Sequence, residues 1–166
     1  MRRHKAIGRR HGLELVRRGD ERQAGQLRQL FGHLFSITGR CVEAGADRRA
    51  TQREFVALAA GQANRCQYCL SAHTLIGKGA GLSAEAIAAA RTGHAANALD
   101  DAIAGFARAL VEQRGVVSAD AMANYRRAGL DDGLILEVIA NIALNTLTNY
   151  TNHIADTTVD FPVVAV

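Results

Sequence analysis

Four residues between positions 54 and 73 have the types and the spacing that thiol chemistry requires. They are Glu54, Cys66, Cys69 and His73, in the stretch EFVALAAGQANRCQYCLSAH. The cysteines form a C-x-x-C pair, and the histidine follows the second cysteine by four residues. Positions three and four apart share one face of an α-helix, so a helix here would direct both thiols and the imidazole to the same side.

A cysteine attacks as the thiolate, and a free thiol with a pKa of about 8.5 is mostly protonated at neutral pH. The N-terminus of a helix, the neighbouring Arg65 and the His73 imidazole would each favour the thiolate. Attack on the O–O bond of a peroxide gives a sulfenic acid, which a second thiol one turn away converts to a disulfide. If its helix packs beside the cysteines, Glu54 would orient His73 or a water between them.

Two other interpretations fit parts of this cluster. Structural zinc needs four ligands, and the two cysteines with the histidine supply three. The residues that would have to fold back as a fourth ligand, none with a paired spacing, are Cys41, His94 and His153. A zinc site is therefore not expected. The second interpretation makes both cysteines small buried core residues and Glu54 the partner of Thr51 in a helix capping box.

Length and composition indicate one soluble globular domain. The chain has 166 residues, 48% of them hydrophobic and 22% charged, which is enough to bury a full core. No apolar run approaches the roughly 18 residues that a membrane span needs, and the N-terminus lacks the apolar segment of a secretory signal. Three cysteines make a disulfide-stapled secreted fold a poor fit, and a C-x-x-C pair in a reducing compartment favours the cytoplasm.

The net charge of +4 is unevenly distributed. Residues 1–53 contain 13 Lys and Arg against 5 Asp and Glu, whereas residues 54–166 contain 7 against 11. The basic first third has no interleaved aromatic residues and no base-reading motif, so nucleic-acid binding is not expected.

Periodicity predicts an all-α fold, a single-domain helical bundle (51–162) preceded by a basic N-terminal arm (1–50). Within the arm, an apolar face at helical spacing predicts an amphipathic helix over 21–38, followed by a linker over 39–50. The apolar residues of that face are Leu27, Leu30, Phe31, Leu34 and Phe35. Caps and glycine stops then predict the remaining helices. They begin at Thr51, Cys66, Ser83, Asn97 or Ala98, Ser118, and Asp131 or Asp132, and they end near 61–64, Lys78, Gly93, Arg114, Ala128 and Ala155.

The order E-x11-C-x2-C-x3-H resembles the active-site motif of the alkyl hydroperoxidase D-like proteins, within the wider carboxymuconolactone decarboxylase-like group. The similarity covers roughly residues 51–162 and includes GKGAGLSAEAI and LILEVIANIALNTLTNYTNHIADTTVDFP. It implies an all-helical fold that assembles into homo-oligomers, commonly trimers or hexamers. It also implies peroxidase or disulfide reductase activity without metal or haem. Residues 1–50 do not resemble the family's N-terminal helices.

The resemblance also implies a role for each site residue. Cys69 would attack the hydroperoxide, Cys66 would resolve the sulfenic acid, and His73 with Glu54 would form the proton relay. A dithiol donor, lipoyl- or thioredoxin-like, would reduce the disulfide. Tyr68 departs from the pattern, because some relatives place another histidine between the cysteines.

Other polar positions receive weaker interpretations. Asn152 and His153 are interpreted as a polar helix end or an oligomer contact in preference to a lining of the site. His94 is interpreted as a surface residue at a helix C-terminus, and Cys41 as an incidental thiol. Two alternative functions remain: a decarboxylase- or lactone-type enzyme of the same fold, and a non-enzymatic helical oligomer whose basic arm binds a partner.

Overall fold

Helices joined by short turns make up the part of the chain that the structure, a computed structural model, describes, residues 46–166; no strand occurs among these residues. The helices are α1 (Ala46–Ala63), α2 (Gln67–Gly79), α3 (Ala84–Arg91), α4 (Ala98–Glu112), α5 (Ala119–Arg127) and α6 (Asp132–Ala155). The all-α prediction is confirmed. No helix within this range is both long enough and apolar enough to cross a membrane.

Polar N-caps explain where most of these helices begin. At each of α2 to α6, the side chain of the N-cap residue accepts a hydrogen bond from the backbone N–H three residues later, which satisfies a donor that the helix itself leaves unpaired. The N-cap residues are Cys66, Ser83, Asn97, Ser118 and Asp131. The predicted starts of these five helices are confirmed to within a residue.

The predicted start of α1 is wrong. The helix begins at Ala46, so Thr51 lies inside it and cannot be the N-cap of a capping box with Glu54. The stretch ADRRA before Thr51 contains strong helix formers and no glycine or proline, so nothing interrupts the helix there. Residues 46–50 of the predicted linker over 39–50 are therefore helical. The predicted helix over 21–38 and Cys41 lie outside the described residues.

Helix α1 forms the centre of the domain. Its residues 54–61 are all buried, since α2, α3, α4 and α6 pack around it. One side of α1, with Phe55 and Leu58, packs in a cluster that includes Leu70 of α2 and Ile87 of α3. An adjacent side, with Val56 and Ala59, packs in a second cluster whose members are Val56, Ala59, Ala102, Ile103, Phe106, Ala107, Leu130 and Val138. Small alanine side chains let several helices approach α1 closely.

Helix α6 runs along α1 in the same direction, with Asn149 of α6 hydrogen-bonded to Asn64 of α1's C-terminal turn. The side of α6 that faces the domain is partly polar, and both Asn145 and Asn149 are buried. The outward side is apolar and exposed. Its exposed large side chains are Leu136, Ile139, Leu147, Tyr150 and Ile154. The usual amphipathic arrangement is thus partly inverted along this helix.

The C-terminal tail after α6 returns across α2 and α3 without regular structure. The ring of Phe161 meets Tyr68 edge-on, with 5.4 Å between centroids. The backbone N–H of Val164 donates to Ser71 Oγ at 3.1 Å. The tail therefore lies against the helix that carries the cysteines.

Candidate active site

A tight turn between α1 and α2 brings the predicted site residues together. Arg65 takes a left-handed conformation with φ of 57°, and the N–H of Cys66 donates to the carbonyl of Gly61 at 2.9 Å. A non-glycine residue with positive φ costs free energy, and such residues are concentrated at sites where the backbone must turn sharply. The turn makes α1 and α2 an antiparallel pair, with Gly61 against Leu70 at one end.

The two cysteines form a disulfide at the N-terminus of α2, with their Cα atoms 5.3 Å apart. Cys66 is the N-cap, and its sulfur accepts a hydrogen bond from the backbone N–H of Cys69 at 3.3 Å. Cys66 is fully buried, whereas Cys69 retains 4% of its surface. Cys69 is therefore the more exposed of the two cysteines, although both are largely enclosed.

Glu54 and His73 form a carboxylate–imidazole pair across the contact between α1 and α2. Glu54 Oε2 lies 2.8 Å from His73 Nδ1, and only 14% of the histidine side chain and 11% of the glutamate side chain are exposed. Glu54 comes from α1 and His73 lies one turn beyond Cys69 on α2. With Nδ1 held by the carboxylate, proton exchange would use Nε2. This arrangement suits the imidazole for general acid–base chemistry beside a sulfur.

The last turns of α6 complete the site. Asn152 Nδ2 donates to Cys69 Sγ at 3.4 Å, and His153 Nε2 lies 3.3 Å from the carbonyl oxygen of Arg65. The contact of Asn152 with Cys69 favours a lining of the site, the second interpretation, over a polar helix end or an oligomer contact for this residue. No local spacing could indicate this contact, because 83 residues separate Asn152 from Cys69.

An aromatic contact joins Tyr68, which lies between the two cysteines in the sequence, to the C-terminal tail. Tyr68 is half-buried against Phe161 of the tail. Neither residue was predicted to belong to the site. The pairing is between distant parts of the chain, so no spacing in the sequence predicts it.

The remaining polar positions lie elsewhere. His94 is exposed and pairs with Asp101, as its interpretation as a surface residue requires. The side chain of Arg65 is also exposed, although its backbone shapes the turn. Within residues 46–166, no group of three or more His, Cys, Asp or Glu side chains is arranged to hold a metal ion.

A small pocket of about 30 Å³ opens on the opposite side of α1, between α4 and α6. Its polar lining includes Arg53, Glu137 and Asn141. None of the four predicted site residues lines it. The cysteine site and this pocket are therefore separate features of the domain.

The fold and the site define a class: a helical domain with a cysteine disulfide beside a buried carboxylate–imidazole pair. Residues 36–113 match the model of the carboxymuconolactone decarboxylase family, and this stretch contains Glu54, Cys66, Cys69 and His73. The chain is similar to that family over just under half of its length. No curated protein matches the chain. The match supports the resemblance at the level of the family, without selecting a branch of it.

Proposed function

We propose that this protein is a thiol-dependent peroxidase that reduces alkyl hydroperoxides through a dithiol–disulfide cycle of Cys66 and Cys69. The observation that supports it most is the Cys66–Cys69 disulfide beside the buried Glu54–His73 pair. A family whose name denotes an enzyme matches the same stretch, which favours catalysis over a purely structural role. The dithiol cycle favours a reducing compartment such as the cytoplasm.

The first step is attack by the Cys69 thiolate on the terminal oxygen of the hydroperoxide. The S–O bond forms and the O–O bond breaks, which leaves a sulfenic acid on Cys69 and an alkoxide. His73 accepts the proton of the Cys69 thiol and returns it to the alkoxide, so that an alcohol departs. Glu54 fixes the imidazole at Nδ1 and stabilises the imidazolium while it carries the proton.

In the second step the Cys66 thiolate attacks the sulfur of the sulfenic acid. The S–S bond forms, the S–O bond breaks, and the oxygen leaves as water after protonation. The Cα separation of 5.3 Å between the cysteines is within the range that disulfides adopt. A dithiol reductant, lipoyl- or thioredoxin-like, then supplies two electrons and two protons by thiol–disulfide exchange, and its own thiols become a disulfide.

A second candidate is a decarboxylase- or lactone-type enzyme of the same fold, which the name of the matching family favours. Such an activity has no need of the thiol pair. It would therefore survive replacement of both cysteines, whereas peroxide reduction would not.

We also propose that the protein forms homo-oligomers, such as trimers or hexamers, through the outward side of α6. Leu136, Leu147, Tyr150 and Ile154 are exposed along that side, which no other described segment covers. A contiguous apolar face of this kind marks an interaction surface. Leu147→Glu should shift the mass measured by light scattering towards the monomer. An unchanged mass for Leu147→Glu and Ile154→Glu would contradict the proposal.

The experiment that tests the function is a thiol titration of the reduced protein before and after one equivalent of an organic hydroperoxide. We expect two thiols per chain to disappear and mass spectrometry to find Cys66 linked to Cys69. A full count of thiols after the peroxide has been offered, with the peroxide unconsumed, would overturn the proposal.

A further inference from the structure

The side chain of Asn152 comes from α6 and contacts Cys69 Sγ, the sulfur that reacts in the proposed function. Its amide nitrogen lies 3.4 Å from Cys69 Sγ, within hydrogen-bonding distance for sulfur. A side-chain amide nitrogen is a donor only, so the interaction runs from Asn152 to the sulfur. The sulfur of a disulfide accepts weakly, whereas a thiolate carries a full negative charge.

The strength of this contact therefore depends on the state of Cys69. A hydrogen bond to a charged acceptor is roughly twice as strong as a neutral one, so the interaction is strongest with the thiolate. It strengthens again where water is largely excluded, and Cys69 is almost completely buried. Any group that stabilises the thiolate more than the thiol increases the thiolate fraction at neutral pH.

The last turns of α6 are held so that this amide stays directed at the sulfur. One turn earlier, Asn149 accepts a hydrogen bond from Asn64 at 2.9 Å, in a fully buried position. His153, which follows Asn152, contacts the carbonyl of Arg65, the residue immediately before Cys66. Asp156 then ends the helix in a left-handed conformation with φ of 50°. The amide is thus anchored from both sides, which limits the entropy lost when it binds a thiolate.

The two cysteines differ in what stabilises them. Cys66 Sγ receives a backbone N–H, the one from Cys69, whereas Cys69 Sγ receives the side-chain amide of Asn152. Cys69 also lies one helical turn from His73, on the same helix face. The amide therefore acts on one sulfur of the pair.

We propose that Asn152 is a catalytic residue, whose amide holds the Cys69 thiolate and so selects Cys69 over Cys66 as the attacking sulfur. Its consequence for peroxide reduction rests on the function proposed above. The hydrogen bond itself, and its effect on the Cys69 thiol, can be measured without any substrate.

The test uses the full chain with Cys41→Ser and Cys66→Ser, so that Cys69 is its sole thiol. Serine is a good N-cap, so with serine at position 66 α2 should still begin at Gln67. Ultraviolet absorbance of the thiolate against pH gives the pKa of Cys69, and the rate of alkylation by iodoacetamide at neutral pH gives its reactivity. The titratable side chains on the elements around Cys69 include Glu54, Arg65, Tyr68, His73 and His153, and all of them stay unchanged in the Asn152 variants.

Asn152→Ala should raise the pKa of the Cys69 thiol and slow alkylation at neutral pH by about tenfold, as expected for loss of one hydrogen bond to a charged group. Asn152→Asp keeps the shape of the side chain but replaces the donor with a negative charge. The pKa of the Cys69 thiol should therefore rise further than in Asn152→Ala. Thr151→Ala is the matched control, because it removes a side-chain hydrogen bond in the same turn of α6, from Thr151 Oγ1 to the carbonyl of Leu147, that involves no atom of Cys69. Its alkylation rate should stay within about twofold of the parent.

Equal pKa values for the parent, Asn152→Ala and Asn152→Leu would overturn the proposal, and these two variants decide the matter if Asn152→Asp fails to fold by circular dichroism. A pKa shift of the Cys69 thiol equally large in Thr151→Ala would also overturn it, since the effect would then come from the helix end as a whole. Failure of the proposed function would appear differently. The thiol pKa would still respond to Asn152, while the protein with both cysteines would consume no peroxide.

Discussion

Residues 46–166 contain two histidine–carboxylate pairs, and these differ in surroundings more than in geometry. His73 Nδ1 lies 2.8 Å from Glu54, and His94 Nδ1 lies 3.2 Å from Asp101. In the first pair 14% and 11% of the side chains are exposed, and in the second 70% and 47%. Water and salt screen the second pair, whereas the first is shielded by two packed helices.

The neighbours of the two pairs also differ. The buried pair joins α1 to α2, and His73 lies one helical turn beyond Cys69 on the helix that begins at the disulfide. The exposed pair joins the loop after α3 to the start of α4, where Asp101 also accepts the backbone N–H of Ala95 at 3.0 Å. In the proposed function, burial and a nearby sulfur therefore distinguish the first pair from the second.

The largest effect should come from removing that reactive atom. Cys69→Ser should reduce peroxide consumption to the background rate, because the attacking thiolate is lost. Cys66→Ser should still react once, leaving a sulfenic acid or a mixed disulfide that mass spectrometry detects. Cys41→Ser is the control and should retain turnover. Full turnover in both Cys66→Ser and Cys69→Ser would contradict the proposed chemistry.

Replacing each histidine in turn tests the comparison directly. His73→Asn should lower the turnover rate by about a hundredfold, the smaller end of what a general acid–base group contributes. His94→Asn should change it by less than about twofold, because surface substitutions away from special features have small effects. The rates are measured with a saturating organic hydroperoxide. Similar losses in the two variants would show that burial does not distinguish the pairs.

Replacing the carboxylate of each pair should also lower turnover more for the buried pair than for the exposed pair, by a smaller factor than replacing the histidines. Glu54→Gln keeps the shape but removes the charge that stabilises the imidazolium, so turnover should fall by about tenfold. Asp101→Asn keeps an oxygen for the N–H of Ala95 and should leave turnover unchanged. The turnover rate with a saturating organic hydroperoxide provides the check for both variants. An equal loss of turnover in Asp101→Asn would remove the distinction between the pairs.

The smallest expected effect concerns the pKa of Tyr125, which Asp101 influences. Burial, together with the negative charge of Asp101, raises the pKa of the Tyr125 phenol above its usual value. Asp101→Asn should lower that pKa slightly, because a negative charge no longer opposes the phenolate, while the larger contribution from burial stays. Absorbance of tyrosinate against pH measures the change, with Tyr125→Phe identifying the signal. A pKa that rises in Asp101→Asn would contradict the assigned sign.

Local signals in the sequence account for most of what was predicted correctly. Ser83 and Asp131 mark helix starts because their side chains bond to the nearest backbone N–H groups. The spacing of Cys66, Cys69 and His73 requires only a helix to place them on one face. The fold class followed from such periodicities.

Errors arose where tertiary contact decides. Thr51 and Glu54 fit a capping box by spacing, yet α1 begins before them, at Ala46. The carboxylate of Glu54 is hydrogen-bonded to His73 instead. Asn152 approaches Cys69 only because α6 packs beside α1 and α2, which no periodicity encodes. The Tyr68–Phe161 contact depends in the same way on the path of the tail.

The short span of the Cys66–Cys69 disulfide has a consequence for the stability of the whole domain. The bond joins residues three apart at the start of one helix, so it links no two helices. A cross-link restricts the unfolded chain less as the loop it closes becomes shorter, which places this one towards the low end of the range of about 0–5 kcal/mol. Opening and closing the bond should therefore leave the melting temperature nearly constant, so that the domain remains folded in both oxidation states.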